Sequence, residues 1–374
     1  MSGAREPAVE VESLADFDAR VAAGADSLSR WHFQGLDLRG HGGVLRRLDV
    51  AGAVFLGCTF GPGDEQSVRD RGALVFPPVP GTPVDVYRPR LYSPRELYAG
   101  LAEGYEQTLD ARAYAWARQE GGIDATLAQS LHDHAVDDAL RECVEGADVV
   151  GMMGGHGHAR GSREYGDAAR LGRALARDGL LVATGGGPGA MEAANLGAYL
   201  SGYADGVLEE AIEVLGEAPH FHPEVEDWAR VAFEVLERWP DGTSTLGIPT
   251  WHYGHEPPNP FATHVAKYFK NAIREDVLLH LCTAGIVFLP GAGGTVQEIF
   301  QDACENYYAE SSSVAAMVLV GRAYWTQVVP AWPLLVVLAR GRAMESVVHR
   351  VDAPGEVPPL LGRGPRGSGT AALP

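Results

Sequence analysis

Between about residues 145 and 360, short apolar runs alternate with segments whose apolar residues recur at helical spacing. This is the pattern of βα units stacked on a parallel sheet. ADVVGMM (147–153) ends in Gly154-Gly155-His156-Gly157, and a helix follows with Tyr165, Ala168, Leu171 and Leu175 on one face. LLVAT (180–184) ends in Gly185-Gly186-Gly187-Pro188-Gly189, and AMEAANLGAYL then reads as helix. GIVFL (285–289) ends in Pro290-Gly291-Ala292-Gly293-Gly294. Beyond it, Val296, Ile299, Phe300, Ala303 and Tyr307 mark a helical face. VAAMVLV (314–320) is a further buried strand. Three strand–glycine loop–helix units predict an α/β fold with a Rossmann-like, doubly wound parallel sheet. In such folds ligands sit outside the carboxyl ends of the strands.

Around this core the pattern changes. Residues 206–240 read as an insertion of two amphipathic helices, GVLEEAIEVL and PEVEDWARVAFEVLERW, with Pro223 suited to a first turn. TSTLGIPT (243–250) restores a strand before the Pro-rich WHYGHEPPNP (251–260). Residues 1–145 form a mixed N-terminal extension. In it Phe33, Leu38, Leu45, Val50, Phe55 and Phe60 fall at roughly five-residue steps, with Ala53 and Cys58 two places before two of them. The spacing resembles pentapeptide-repeat β-helices but covers little more than one coil, and stacked repeats need several. A short β-rich piece with accidental periodicity is the preferred reading. Residues 62–90 read as a linker, and two helices (SPRELYAGLAEGYEQTLDARAYAWARQ and DATLAQSLHDHAVDDALREC) lead into the core. The expected organisation is 1–145, a catalytic domain over 146–361, and a disordered tail at 362–374.

Charge narrows the partners. The chain has 374 residues, 30 Lys+Arg against 49 Asp+Glu, and a net charge of −19. That field repels phosphate polymers and anionic membranes, so no nucleic acid and no membrane are expected, while a small anion needs only local donors. The run between Arg322 and Arg340 is shorter than the ~20 residues of a membrane span, and Pro330 and Pro333 interrupt it. The N-terminus has acids where a signal peptide needs a basic start. Cys58, Cys143, Cys282 and Cys304 are scattered, fitting neither a disulfide framework nor a zinc site. A cytoplasmic location is expected.

The candidate chemistry lies in the glycine loops. A helix N-terminus presents unpaired N–H groups and the positive end of a dipole, and glycine lets a phosphate come close. Arg160 stands where a dinucleotide fingerprint needs its third glycine, and no Lys follows either loop as a Walker motif requires. Glu298 lies one turn after Thr295. Its carboxylate either closes a capping box with Thr295 or faces the phosphate site, where it would stabilise a sugar cation or hold ribose hydroxyls. Spacing alone leaves both readings open.

TGGGPGAMEAANLGA together with FLPGAGGTVQEIF resembles the Lonely Guy (LOG) family, whose paired motifs are GGGxxGxM and PGGxGTxxE. The resemblance covers about 147–350. KYFKNAIRED (267–276) and the chain's length make it most similar to the longer bacterial nucleosidases acting on purine and pyrimidine monophosphates. It implies a nucleoside 5′-monophosphate phosphoribohydrolase that releases a base and ribose 5-phosphate, with no cofactor and no metal, working as a homodimer or larger assembly. It also implies roles for residues. Glu298 and Arg274 become catalytic, although Arg274 lies one residue off the short enzymes' spacing. Gly291, Gly293, Gly294 and Thr295 become the phosphate loop, and Gly185, Gly186, Gly187, Gly189 and Met191 the first motif. Ala292 departs from the pattern, which has glycine there. Glu192, where short members often have glycine, is either a second carboxylate on the ribose side or an ordinary first-turn acid.

Two other readings stay in view. His252, His255 and Glu256 lie close in sequence, with His220, His222 and His264 flanking them, but lack the helical spacing of a zinc protease. They read as loop or base-stacking groups, and Trp251 and Tyr253 as base-stacking or core aromatics. The alternative function is a non-catalytic nucleotide-binding protein or one like a molybdenum-cofactor carrier. Such a protein needs the loops but not Glu298 and Arg274.

Overall fold

The computed structural model describes residues 8–119, 121–252 and 256–362. Tyr253, His255 and the tail from 363 onward lie outside the described residues. The chain divides into two compact units: residues 1–90 with 120–139, and residues 91–119 with 140–374.

The first unit is a stack of four parallel strands in chain order: β1 (Val9–Val11), β2 (Trp31–Gln34), β3 (Val54–Leu56) and β4 (Leu74–Phe76). Short helices join them: α1 (Leu14–Ala22), α2 (Gly42–Arg47) and α3 (Asp64–Asp70). Val9 lies opposite Trp31, His32 opposite Val54, and Val54 opposite Leu74, so the chain returns to the same place every 20 to 22 residues. Phe33 and Phe55 stack at 4.6 Å and 13°. Val11 and Val75 continue that buried column in the outer strands. The five-residue spacing is therefore not accidental, as the sequence suggested, but has a structural origin. Its members point inward from successive sides of one coil, and the next coil repeats them. The stretch read as a linker contains α3 and β4, which complete the stack. Repeats of this kind bury a core only by stacking, and the chain supplies enough of them.

Three helices come between this stack and the second sheet in sequence: α4 (Pro94–Leu97), α5 (Leu109–Ala117) and α6 (Ile123–Val144). The second unit holds β5 (Val149–Met153), β6 (Leu181–Thr184), β7 (Leu246–Gly247), β8 (His264–Val265), β9 (Gly285–Phe288), β10 (Met317–Val320) and β11 (Val348–Val351). All pairs are parallel, in the order β11-β10-β9-β5-β6-β7-β8. The chain winds outward from β5 through β8, then returns to β9 and winds the other way. The fold is thus a doubly wound, Rossmann-like sheet, and its direction reverses between β5 and β9, where a crevice opens.

The remaining helices are α7 (Arg163–Arg177), α8 (Ala190–Tyr199), α9 (Asp205–Leu215), α10 (Val225–Arg238), α11 (Asn271–His280), α12 (Gly293–Tyr308) and α13 (Ala331–Ala339). Ser162 caps α7 by accepting from the Tyr165 amide at 3.2 Å. Helices α7 and α8 approach backbone to backbone. A Cβ on Gly172 would lie 2.3 Å from the Ala194 carbonyl, and one on Gly197 would lie 1.8 Å from that of Ala169. The predicted insertion helices are α9 and α10, with Pro223 just ahead of α10. No helix among the described residues is long and apolar enough to cross a membrane.

Helix α12 departs from its apolar pattern. Its buried residues are Thr295, Glu298, Ile299, Asp302, Ala303 and Asn306, whereas Val296, Phe300 and Tyr307 are only partly covered. Polar side chains therefore occupy the inward stripe, a costly arrangement that calls for partners or a use.

Candidate functional site

The crevice at the switch point is a cavity of about 790 Å³ built from the loops that follow β5, β6 and β9. Gly185, Gly187, Met191, Arg274, Gly291, Gly293, Gly294, Thr295 and Glu298 all line it.

Its floor is the N-terminus of α12. The first intrahelical bond runs from the Val296 amide to the Ala292 carbonyl at 2.9 Å, so the amides of Gly293, Gly294 and Thr295 precede it. Such a turn is suited to an anion. Ala292 is the N-cap residue with φ −105°, an ordinary value for an L residue, and it is exposed. Its methyl group therefore imposes no left-handed strain on the loop. Gly291 has to be glycine: a Cβ there would stand 2.2 Å from Thr295 Oγ1. Its carbonyl accepts from the Tyr324 hydroxyl at 2.7 Å, which ties the loop to the segment after β10.

The capping-box reading of Glu298 is corrected by this geometry. The helix begins before Thr295, and the N-cap is an alanine with no side-chain bond. Glu298 instead turns inward, its Oε1 3.7 Å from Arg274 Nη1. Arg274 is held from beneath: Asn271 Oδ1 accepts from its Nη2 at 3.2 Å, and Glu275 Oε1 accepts from the same nitrogen at 3.0 Å. Glu275 in turn accepts from Asn271 Nδ2 at 2.9 Å and from Gln297. The guanidinium is thus committed to Glu275, leaving Glu298 only loosely compensated. Burial pushes the Glu298 carboxyl up to about 7. Arg274 opposes that rise, while Glu275 and Glu256 add to it.

The first glycine motif divides in space. A Cβ on Gly185 would lie 2.9 Å from Met191 Sδ and 3.6 Å from Arg274 Nη1, so this glycine borders the catalytic candidates. Gly186, with φ +72°, packs under Pro249 and does not line the cavity. Gly189, also at φ +72°, abuts the His156 peptide, where a Cβ would fall 2.6 Å from its carbonyl. The ribose-side reading of Glu192 does not match its position. Its two carboxylate oxygens lie 3.1 Å from Arg160 Nε in a buried ion pair. Arg160 also donates to the Trp228 carbonyl at 2.8 Å and lies 4.3 Å from that indole. Glu192 and Gly189 instead border a smaller cavity of about 160 Å³, shared with His156, His158, His220, Phe221, His222 and Trp228.

Several lining residues have no assigned role in the sequence motifs: His156, His158, Thr250, Glu275, Gln297 and Tyr324, together with Glu256, which the sequence groups only with loop histidines. His156 Nδ1 lies 2.9 Å from Glu256 Oε1. A dinucleotide fingerprint constrains the glycines of GGHGH and says nothing of its histidines. Trp251 is buried away from the cavity, with its Nε1 donating to Asp110 Oδ1 at 2.8 Å. Among the described residues, no three His, Cys, Asp or Glu side chains converge as a metal ion would require.

Comparison with known proteins gives a partial match. In solved structures the chain is similar to the molybdenum cofactor binding protein from the phototrophic bacterium Rippkaea orientalis. Identity is 17% and the TM-score 0.33, over 56% of this chain and 91% of that one. It is also similar to the molybdenum cofactor carrier protein MCP from Chlamydomonas reinhardtii, at 15% identity and TM-score 0.33, over 56% of this chain and 92% of that one. No curated protein matches the chain. Residues 147–213, which run from β5 through the first glycine loop and α8 into α9, match the SLOG cluster4 family.

Proposed function

We propose that the protein hydrolyses the N-glycosidic bond of nucleoside 5′-monophosphates, releasing the free base and ribose 5-phosphate. The observation that carries this reading is the buried, loosely compensated Glu298 carboxyl. It lies one turn inside the anion-binding end of α12 and 3.7 Å from Arg274. A site that only held an anion would gain nothing from an acid so close to it. A sugar that becomes cationic at C1′ gives the acid a role.

In this reading the amides of Gly293, Gly294 and Thr295 hold the 5′-phosphate, and that remote binding energy positions the ribose. Glu298 in its ionised form stabilises positive charge at C1′ and takes a proton from the attacking water. Arg274 supports the phosphate and keeps Glu298 partly ionised at neutral pH. The resemblance to the Lonely Guy motifs supports the same assignment and further implies a homodimer or larger assembly, which light scattering would test.

The test is to incubate the protein with ribo- and deoxyribonucleoside monophosphates and with unphosphorylated nucleosides, and to assay free base. Monophosphates should react and nucleosides should react far more slowly. Glu298→Gln should still bind nucleotide but release no base. Tight binding without release by the parent protein would replace this reading with that of a carrier.

A further inference from the structure

We infer that His156, oriented by Glu256, is the acid that delivers a proton to the departing base. This rests on the hydrolase reading and extends it to the leaving group. His156 sits in the loop after β5 and Glu256 in the loop after β7, and both line the cavity that also holds Glu298 and Arg274. The 2.9 Å contact from His156 Nδ1 to Glu256 Oε1 occupies one ring nitrogen, so Nε2 is the one left to serve a ligand. A histidine held at one nitrogen by a carboxylate is the usual construction of a positioned acid or base.

The pair stands at the open edge of the cavity, its side chains 58% and 41% exposed, with neighbours on one side. The His156 backbone is pinned by Gly189, whose φ of +72° brings α8 against it. The ring meets Phe221 edge to face at 6.4 Å and 90°. The other oxygen of Glu256 rests against the first glycine motif, since a Cβ on Gly187 would stand 3.3 Å from Oε2. The dyad thus stands over one glycine loop, and Glu298 over the other. N-glycoside cleavage calls for two groups in two places, one at the anomeric carbon and one at the leaving atom.

The step balances as follows. The bond from C1′ to the base nitrogen breaks, and its electron pair goes to the base. The His156 imidazolium gives its Nε2 proton to a ring nitrogen of the base. Water adds to C1′ and loses a proton to the Glu298 carboxylate. That proton passes to solvent, and solvent reprotonates His156, so one water is consumed and no charge is left over.

The charged group nearest His156, Glu256, favours its protonated form. Glu256 raises its pKa through the hydrogen bond, with burial working in the opposite direction. Glu298, Glu275 and Arg274 lie across the cavity, His158 is on the same loop at 3.2 Å from the Pro290 carbonyl, and His220 and His222 border the smaller cavity beside it. Lys267 is buried near enough to Glu256 to sense its charge.

Two substrates separate an acid from a structural clasp. The base of AMP leaves far more easily when protonated, whereas the pyridinium of nicotinamide mononucleotide leaves as a neutral molecule and needs no proton. His156→Asn should slow single-turnover release from AMP by about 100-fold or more and leave nicotinamide release within about threefold. In the parent protein the AMP rate should fall on the alkaline side of its pH profile, and this limb should vanish in His156→Asn. Glu256→Gln should shift the same limb to lower pH. Unchanged AMP hydrolysis in His156→Asn, a persistent alkaline limb, or equal losses on both substrates would overturn the role of His156 and leave the hydrolase reading standing. A parent protein that releases neither base would overturn both.

Discussion

The ammonium of Lys267 lies 2.6 Å from Asp110 Oδ1, and each side chain is about 1% exposed. Two more donors reach the same carboxylate, Trp251 Nε1 at 2.8 Å and the Tyr105 hydroxyl at 2.7 Å. Lys267 also lies 5.3 Å from the Trp251 ring. Burial lowers its pKa, and Asp110 works to restore it. This cluster anchors the loop that carries Thr250 and Glu256 to the cavity. Removing one partner strands a buried charge, which costs about 3–5 kcal/mol. Asp110→Ala should therefore lower the urea midpoint markedly. Lys267→Met should cost less, because Trp251 and Tyr105 still satisfy the carboxylate.

Glu298 makes a prediction about stability as well as rate. Its folded pKa of about 7 lies above the ordinary 4.5, so the folded protein holds this proton more tightly than the unfolded chain. That contribution is complete below about pH 4.5 and is lost as pH rises through 7. Glu298→Gln has nothing to ionise. Its stability relative to the parent should rise between pH 5 and 8 by up to about 3 kcal/mol, measured by urea unfolding at both pH values. Catalysis runs the opposite way. In the hydrolase reading the parent needs the ionised form, so the acid limb of kcat/KM for a monophosphate should climb through about pH 7, ahead of the alkaline fall assigned to His156.

The glycine loops and their helices were legible because each unit is local: a buried strand, a glycine turn and a helix lie within some thirty residues. Three features were not legible, for physical reasons. The N-terminal stack repeats over 20 to 22 residues, and the inward-pointing residues of a single coil mask that longer period. The face of α12 that matters is polar, so an apolar periodicity selects the neighbouring stripe. His156 and Glu256 stand a hundred residues apart and meet only because the sheet order places β5 and β7 on either side of β6. No spacing rule in the sequence could have joined them.

Contact between α7 and α8 depends on two glycines, and Gly197 is the stricter. A methyl group there would overlap the Ala169 carbonyl at 1.8 Å, and backbone cannot yield as a side chain can. Gly197→Ala should destabilise the protein by about 2–3 kcal/mol or more, although alanine is the better helix former. A melting temperature equal to or above that of the parent would mean that the helices do not pack this closely.

Glu192 separates a structural acid from a catalytic one. Its partner Arg160 links α8 to α10 through the Trp228 carbonyl and indole, and none of these groups lines the main cavity. Glu192→Gln keeps the shape of the side chain but leaves Arg160 as a buried cation whose nearest acid is gone. The cost should be about 3–5 kcal/mol, seen as a lower melting temperature. If the protein is the proposed hydrolase, base release by the folded fraction at low temperature should stay within about threefold of the parent, since a change in rate alone requires contact with the reacting atoms or their positioning groups. A loss of rate of 100-fold with unchanged stability would put Glu192 at the ribose instead, and would require Arg160 to release it when nucleotide binds.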